Sequence, residues 1–210
     1  MQIELLNIAK KFNREWIFKD VNIQIPNSTK LAILGSNGSG KSTLLQIIIG
    51  SLSASKGEIK YHINDHAITA ENVYQHFSIA SPYLELVEEM TLNEMIDFHF
   101  SFKNRLNNFN NDELLKIVGL ESSKNKEIRY FSSGMKQRAK LVLAILSDVK
   151  CILLDEPCSN LDKQGIDWYH QLLNNYLNNR TLIICSNQEY EYSMCDSTIS
   201  IMDYKPDSQK

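Results

Sequence analysis

The sequence GSNGSGKST, residues 35–43, matches the pattern G-x-x-x-x-G-K-[ST] at Gly35, Gly40, Lys41 and Ser42. Glycines at these positions let backbone N–H groups turn inward around phosphate oxygens without a clash from a Cβ atom. Lys41 supplies a positive charge for the outer phosphates of a nucleotide, and Ser42 supplies a hydroxyl ligand for Mg²⁺. We therefore predict a phosphate-binding loop whose other members are Ser36, Asn37, Gly38, Ser39 and Thr43.

The segments on either side of this loop have the patterns that such a loop requires. An apolar run, Leu31–Leu34, precedes it and predicts a short buried strand. The apolar segment Lys41–Ile49 follows and predicts a helix that ends at Gly50. A Gly/Ser-rich linker, the alternative interpretation of the loop, would need neither neighbour.

A second polar cluster ends the stretch CILLDEP, residues 151–157. Its apolar residues predict a buried parallel strand that delivers Asp155 and Glu156 at its carboxyl end, where ligands bind in such sheets. Asp155 can hold the Mg²⁺ shell, and Glu156 can orient or deprotonate an attacking water. In isolation the pattern also fits a strand that ends in solvated charges. Together with the phosphate loop it predicts a nucleoside triphosphate site.

Strand and helix patterns alternate along the rest of the chain. The runs with strand character are 3–8, 21–25, 31–34, 58–63, 77–80, 151–154, 182–185 and 198–202. Residues 91–147 have helical periodicity, and an amphipathic helix is predicted over 166–176. This alternation predicts a largely parallel sheet covered on both faces, with a helical subdomain inserted midway.

The bulk composition excludes several classes of protein. A net charge of −3 and a pI of about 6.0 give no reason to expect a nucleic acid partner. No apolar run approaches the roughly 20 residues that span a bilayer, and the N-terminus does not have the pattern of a signal peptide. The four cysteines form no CxxC pair, which favours buried reduced thiols over a metal site or disulfides.

Together with these two motifs, a third stretch makes the chain resemble the ATP-binding-cassette (ABC) ATPases over essentially its whole length. The diagnostic stretch is YFSSGMKQRAKLVLAIL, residues 130–146, which is similar to the family's signature at the start of a helix. The resemblance implies that Ser132 and Gly134 contact the γ-phosphate held by a partner subunit. Met135 replaces the usual glutamine, which removes a polar contact but keeps the helix N-terminus. DEPCSNLD, residues 155–162, resembles the acid pair followed by the D-loop.

The resemblance also implies an architecture and roles for residues at both ends of the site. We expect an α/β P-loop NTPase fold with a mostly parallel core sheet, an N-terminal antiparallel β-subdomain and an inserted α-helical subdomain. Residues 1–210 form one domain, in which 1–80 and 150–210 contain the β-subdomain and core, and about 83–147 the helical subdomain. Phe12 is expected to stack on adenine, with Trp16 as a weaker alternative. Asp162 is expected to cross the dimer interface, although it also fits a simple helix cap.

The implied ligands are ATP and Mg²⁺, and the implied partners are proteins. The chain is expected to form a head-to-tail homodimer, or a heterodimer with another cassette, around ATP. It would dock through the helical subdomain on an integral membrane transporter subunit, and would therefore be cytoplasmic and peripheral on the inner face of the cell membrane.

Two positions that have a polar or catalytic side chain in the family carry different residues in this chain. Ser81-Pro82 stands where the family has a glutamine after the strand, and Gln75 lies too early to replace it. Asn187 stands where the family has a switch histidine; its amide can donate a hydrogen bond but cannot carry charge or shuttle a proton. Losing such a contact to the transition state costs about 2–4 kcal/mol, or roughly 10²–10³-fold in rate.

The residues leave three functions open. An ATPase subunit with slow or partner-dependent turnover is favoured because Glu156 is retained, and it makes Glu156 and Asn187 the candidate catalytic residues. The first alternative is an ATP-dependent clamp or regulatory cassette that does not hydrolyse. The second is a soluble ABC protein without a transporter, a class that usually carries two cassettes or long insertions. A small-molecule kinase with the same loop is excluded by the signature and D-loop residues.

Overall fold

The computed structural model describes residues 1–206 and contains two sheets. The first sheet is antiparallel, in the order β2-β1-β4-β5. Its strands are β1 (Gln2–Phe12), β2 (Glu15–Ile25), β4 (Lys56–Ile63) and β5 (His66–Ile68). The second sheet is parallel, in the order β6-β7-β8-β3-β9. Its strands are β3 (Lys30–Leu34), β6 (Phe77–Ala80), β7 (Cys151–Asp155), β8 (Thr181–Cys185) and β9 (Ser197–Ser200).

Helices pack on the parallel sheet and connect its strands. They are α1 (Lys41–Ile48), α2 (Leu92–Phe100), α3 (Asn111–Val118), α4 (Ser133–Ile145), α5 (Lys163–Tyr176) and α6 (Glu189–Tyr192). The predicted fold class is therefore confirmed, since a parallel sheet, an antiparallel sheet and a helical insertion are all present. The exact subdomain boundaries stay a prediction, and residues 207–210 lie outside the described part.

Strand β7 shows why the parallel sheet is stable. All of its residues are buried, and alternate side chains enter different hydrophobic clusters. Ile152 and Leu154 pack with α2–α5, whereas Cys151 and Leu153 pack with α1 and the antiparallel sheet. An uninterrupted apolar run is thus what a strand covered on both faces requires.

The helices of the insertion begin at caps that the sequence signals locally. Thr91 and Asn110 each form a capping box, with Glu94 and Glu113 respectively. α3 stops at Gly119, which takes the left-handed conformation (φ 72°). These caps place the helical segment where the periodicity predicted it.

The end of the chain differs from the sequence-based prediction. The last strand was expected near 198–202 but ends at Ser200, because the Ser200 hydroxyl accepts a hydrogen bond from Met202 N (3.2 Å) and starts a short 3₁₀ turn. Three cysteines are buried as predicted, and Cys195 is half-buried. Within residues 1–206, no helix is long and apolar enough to cross a bilayer.

The sheet order brings the predicted site together. Strands β7, β8 and β3 are neighbours, and Asp155 pairs in register with Cys185, which also pairs with Ile33. The residues that follow these three strands therefore meet at one edge, the carboxyl edge of the sheet.

Candidate functional site

The phosphate loop joins β3 to α1 and depends on glycine at two close approaches. Gly35 and Gly40 have φ values of 152° and 107°, and Gly40 is the left-handed N-cap of α1. A Cβ atom on Gly40 would lie 2.6 Å from Ile17 Cγ2, and one on Gly35 would lie 2.4 Å from Ile201 Cγ2. Side chains at these positions would force the loop away from its neighbours. The close approach of the loop to Ile17 and Ile201 therefore requires glycine at both positions.

Lys41 is folded back across the loop that precedes it. Its side chain is nearly buried (5% exposed), and its ammonium group donates to the carbonyls of Gly35 (2.6 Å) and Ser36 (3.3 Å). This arrangement holds a positive charge against the loop, at the N-terminal end of α1, where the helix dipole also favours an anion. The loop therefore has a positioned positive charge that can bind a polyanion.

Asp155, at the carboxyl end of β7, carries the second feature of the site. It is 2% exposed, and its Oδ2 accepts a hydrogen bond from the Ser81 hydroxyl (3.4 Å). Within the described part of the chain, Oδ1 is buried and no group donates a hydrogen bond to it. Burial raises the pKa of Asp155, against smaller opposing effects from Ser42 and Lys41. A buried carboxylate oxygen without a donor, beside a serine hydroxyl, fits a hard cation such as Mg²⁺.

Replacing Asp155 with asparagine is expected to stabilise the fold when divalent cations are absent. Because burial raises the pKa of Asp155, ionisation above the ordinary aspartate pKa of about 4 costs folding free energy. The amide has the same shape without the charge, so we expect a gain of about 1 kcal/mol at pH 7, or about 2–4 °C in melting temperature.

Thermal melts in EDTA measure this effect. The gain should shrink as the pH falls through the raised pKa of Asp155 towards about 4, and it should be absent below about 4, where the carboxyl is neutral in both states. Asp167→Asn, at an exposed position of α5, is the matched control and should leave the melt unchanged. A lower melting temperature for Asp155→Asn at pH 7 would contradict the assignment of Asp155 as a destabilising site residue.

Glu156 and Asn187 lie beside the loop, at the ends of β7 and β8. Glu156 has a positive φ of 45°, and its N–H donates to Cys185 O (2.9 Å). This conformation is strained for a glutamate, which is common where function fixes the backbone. The Asn187 amide oxygen accepts from Gly35 N (3.2 Å), and its amide nitrogen donates to Asn37 Oδ1 (3.3 Å). Asn187 thus contacts the phosphate loop directly, at the position predicted from the sequence.

A cavity of about 280 Å³ is lined by Glu156 and by six of the nine predicted residues of the phosphate loop. The residues lining it are Ile17, Asn37, Gly38, Gly40, Lys41, Ser42, Thr43, Tyr83 and Glu156. Ile17 and Tyr83 were not predicted. Ile17 precedes the alternating run from which β2 was recognised, whereas Tyr83 follows directly on Ser81-Pro82, where the sequence departs from the family pattern.

Glu191, on the short helix α6, is a further residue that the sequence did not indicate. It is 3% exposed, and its carboxylate accepts hydrogen bonds from Cys158 N (2.8 Å) and from the Ser186 hydroxyl. Burial raises the pKa of Glu191. Because Cys158 follows Glu156 and Ser186 precedes Asn187, this carboxylate ties together the two loops that carry the candidate catalytic residues.

Ser132, Gly134 and Asp162 line a different cavity, of about 430 Å³. The Ser132 hydroxyl caps α4 by accepting from Met135 N (3.2 Å), and Asp162 caps α5 by accepting from Gly165 N (2.8 Å). A Cβ atom on Gly134 would lie 3.0 Å from a backbone oxygen of the neighbouring D-loop segment. The structure therefore brings these three residues together, apart from the cavity of the phosphate loop.

Phe12 lies at the end of β1 and is 47% exposed, with the Lys10 ammonium 4.9 Å from the centre of its ring. Trp16 is approached by the ammonium groups of Lys11, Lys19 and Lys56 at 4.9–5.5 Å. Among the described residues, neither aromatic ring belongs to the lining of the phosphate-loop cavity. The adenine contact of Phe12 stays a prediction.

Comparison with known proteins identifies relatives of the chain. Residues 18–159 match the family model described as ABC transporter. An uncharacterized ABC transporter ATP-binding protein of Bacillus subtilis, YybJ, is 28% identical over 207 residues, which is 95% of this chain and 92% of that protein. The sulfate/thiosulfate import ATP-binding protein CysA of Escherichia coli K12 is 33% identical over 177 residues. That alignment covers 78% of this chain but 47% of CysA.

Solved structures show the same fold. A putative ABC transporter ATP-binding protein from Pyrococcus furiosus superposes with a TM-score of 0.81 at 20% identity, covering 98% of this chain and all of that one. The dimeric ATP-binding cassette MJ0796, bound to ADP and Pi, has a TM-score of 0.81 at 22% identity and covers 98% of this chain and 96% of its own.

Proposed function

Because the chain belongs to the ABC transporter family, we propose that it binds Mg-ATP and hydrolyses it slowly to drive a membrane subunit. One observation carries the proposal: Lys41 lies inside the phosphate loop in the cavity that Glu156 also lines. The uncompensated Asp155 Oδ1 nearby supports a cation beside the phosphates.

The residues present support a division of labour in the site. The loop amides and Lys41 would bind the β- and γ-phosphates, and Ser42 with Asp155 would hold Mg²⁺. When bound, Mg²⁺ neutralises charge that develops on the phosphate oxygens. Glu156, half-buried on the same cavity wall, would orient the attacking water and take its proton.

A second copy of this chain, or another cassette, is proposed to complete the site. Ser132 and Gly134 line a cavity separate from the phosphate loop of the same chain. They could contact a nucleotide only across an interface, where the N-terminus of α4 would face phosphate. Asp162 lies beside them and would cross that interface. The dimeric state described for MJ0796 supports this arrangement.

The proposed turnover is slow because Asn187 is neutral. Its amide oxygen accepts from Gly35 N, and its nitrogen donates to Asn37 Oδ1 and has a second hydrogen for a phosphate oxygen. A neutral donor of this kind is about half as strong as a charged one. The same observation favours the alternative function, a clamp that binds ATP without hydrolysing it. Phosphate release separates the two functions, since a clamp releases none.

Replacing Asn187 with histidine is expected to raise the ATP turnover by about 10-fold, because an imidazolium can donate a charge-assisted hydrogen bond to the γ-phosphate. The measurement is phosphate release at saturating Mg-ATP. Asn187→Ala serves as the comparison, and should be no faster than the wild type. Unchanged or lower turnover in Asn187→His would show that Asn187 is matched to its own mechanism.

The helical subdomain is proposed to dock on an integral membrane subunit. Phe77 of β6, Met95 of α2 and Leu143 of α4 line an apolar groove of about 400 Å³ that supports this role. The protein would then be cytoplasmic and peripheral on the inner face of the membrane. Co-purification with a polytopic membrane protein tests this proposal, and recovery of the chain only in a soluble, partner-free form under mild detergent would favour a cassette without a transporter.

A further inference from the structure

The turn that follows β6, residues Ser81–Tyr83, stands where the glutamine of the family pattern is missing. Its first residue, Ser81, is buried and donates a hydrogen bond to Asp155 Oδ2 (3.4 Å). The turn is therefore in direct contact with the carboxylate that the proposed function assigns to Mg²⁺.

The backbone of this turn is fixed by hydrogen bonds from two directions. Lys140, on α4, donates to the carbonyls of Ser81 (3.3 Å) and Pro82 (3.2 Å). Within the turn, Leu84 N donates to Ser81 O (3.2 Å) and Tyr83 N donates to Ser81 Oγ (3.4 Å). The proline ring restricts φ as well. These hydrogen bonds and the proline ring therefore hold the backbone that carries Tyr83 in one conformation.

Tyr83 lies on the wall of the phosphate-loop cavity, with Lys41, Ser42 and Glu156. Its side chain is 82% exposed, so that packing does not account for its position. The phenol hydroxyl can donate one hydrogen bond and accept others. An exposed phenol hydroxyl on the cavity wall is therefore able to form a hydrogen bond with a bound ligand.

We propose that Tyr83 is a catalytic residue of the ATP hydrolysis proposed above, on which this inference rests, and that Lys140 is its positioning residue. In that reaction the water oxygen bonds to the γ-phosphorus, the bond to the β,γ-bridging oxygen breaks, and the proton of the water passes to Glu156. The Tyr83 hydroxyl donates a hydrogen bond to the γ-phosphate as its negative charge redistributes. No bond to Tyr83 forms or breaks.

The position of Lys140 links this role to the partner subunit. Ser132 caps α4 on the surface proposed to face the second nucleotide, and Lys140 lies further along the same helix. A displacement of α4 on dimerisation would therefore move the Ser81–Tyr83 turn relative to Glu156.

The test compares Tyr83→Phe with Tyr74→Phe, an exposed tyrosine outside the phosphate-loop cavity. Tyr83→Phe is expected to lower the maximal rate of phosphate release about 10-fold and to leave the Kd for ATP within about twofold, because the contact strengthens in the transition state. Tyr74→Phe should change neither. Lys140→Met should also lower the rate, and Lys140→Arg should restore most of it, since a guanidinium can reach the same carbonyls.

Three outcomes would overturn the inference, and they can be told apart. If Glu156→Gln abolishes turnover but Tyr83→Phe retains the wild-type rate, the proposed function stands and the role of Tyr83 fails. If Tyr83→Phe weakens ATP binding as much as it lowers the rate, Tyr83 is a binding residue rather than a catalytic one. If the wild type releases no more phosphate than Glu156→Gln, the proposed hydrolysis fails and the inference fails with it.

Discussion

Replacing Glu156 with glutamine is expected to lower ATP turnover about 10²–10³-fold, because an amide cannot take the proton of the attacking water. Glutamine has nearly the same shape, and the N–H of residue 156 still reaches Cys185 O. ATP binding should therefore persist, and the variant should accumulate as an ATP-bound dimer. Phosphate release measures the rate, and sedimentation with and without Mg-ATP measures the dimer.

Glu121→Gln is the matched control for this substitution, since Glu121 is an exposed glutamate on the helical insertion. It should retain the wild-type rate and show no ATP-trapped dimer. Equal turnover in Glu156→Gln and the wild type would mean that the activity comes from another site or from a contaminant.

Replacing Lys41 with alanine is expected to weaken ATP binding by about 10²-fold or more. The lysine is 5% exposed and already positioned by two carbonyl contacts, so that little conformational entropy is lost when it meets phosphate. Charge-assisted hydrogen bonds contribute about 1.5–3 kcal/mol each, and every 1.4 kcal/mol is tenfold in affinity. Equilibrium titration with a fluorescent ATP analogue measures the Kd.

Lys126→Ala, an exposed lysine of the helical insertion, is the control and should bind ATP like the wild type. A melting curve without nucleotide shows whether the Lys41→Ala chain is folded. A folded Lys41→Ala variant with wild-type affinity would contradict the assignment of the loop as the phosphate site.

Local sequence patterns predicted the loop and the strands that form the site. The phosphate loop, the apolar strand before Asp155 and the strand before Asn187 each have a pattern that is complete within a few residues. Because parallel strands deliver such residues to one edge, their proximity followed from the fold class. The N-caps of α3 and α4 are also local, since Asn110 and Ser132 each accept a hydrogen bond from the backbone N–H three residues further on.

The residues that sequence analysis missed reach the site through contacts between different segments of the chain. Glu191 looks like any glutamate of an amphipathic segment, and only the fold places it between Cys158 and Ser186. Likewise Ile17 reaches the site because β2 passes beside Gly40. Contacts of this kind depend on sheet order and strand register, which no short pattern encodes.

The orientation of side chains in the site depends on individual hydrogen bonds, which are weak and directional. Asn187 was recognised as the residue beyond β8, but the sequence could not show that its amide oxygen accepts from Gly35 N. This contact holds the amide against the phosphate loop while its nitrogen, the donor end, reaches Asn37 Oδ1. The proposed slow turnover follows from the neutral amide, which is evident from the sequence, whereas the contacts that position this amide are seen only in the structure.

The most direct test of the proposed function is phosphate release per chain by the purified wild-type protein with Mg-ATP, measured beside Glu156→Gln. We expect a slow rate that is clearly above that of Glu156→Gln and that EDTA removes. Identical background rates for both proteins, under conditions in which both bind ATP, would contradict an ATPase and leave a nucleotide-dependent clamp.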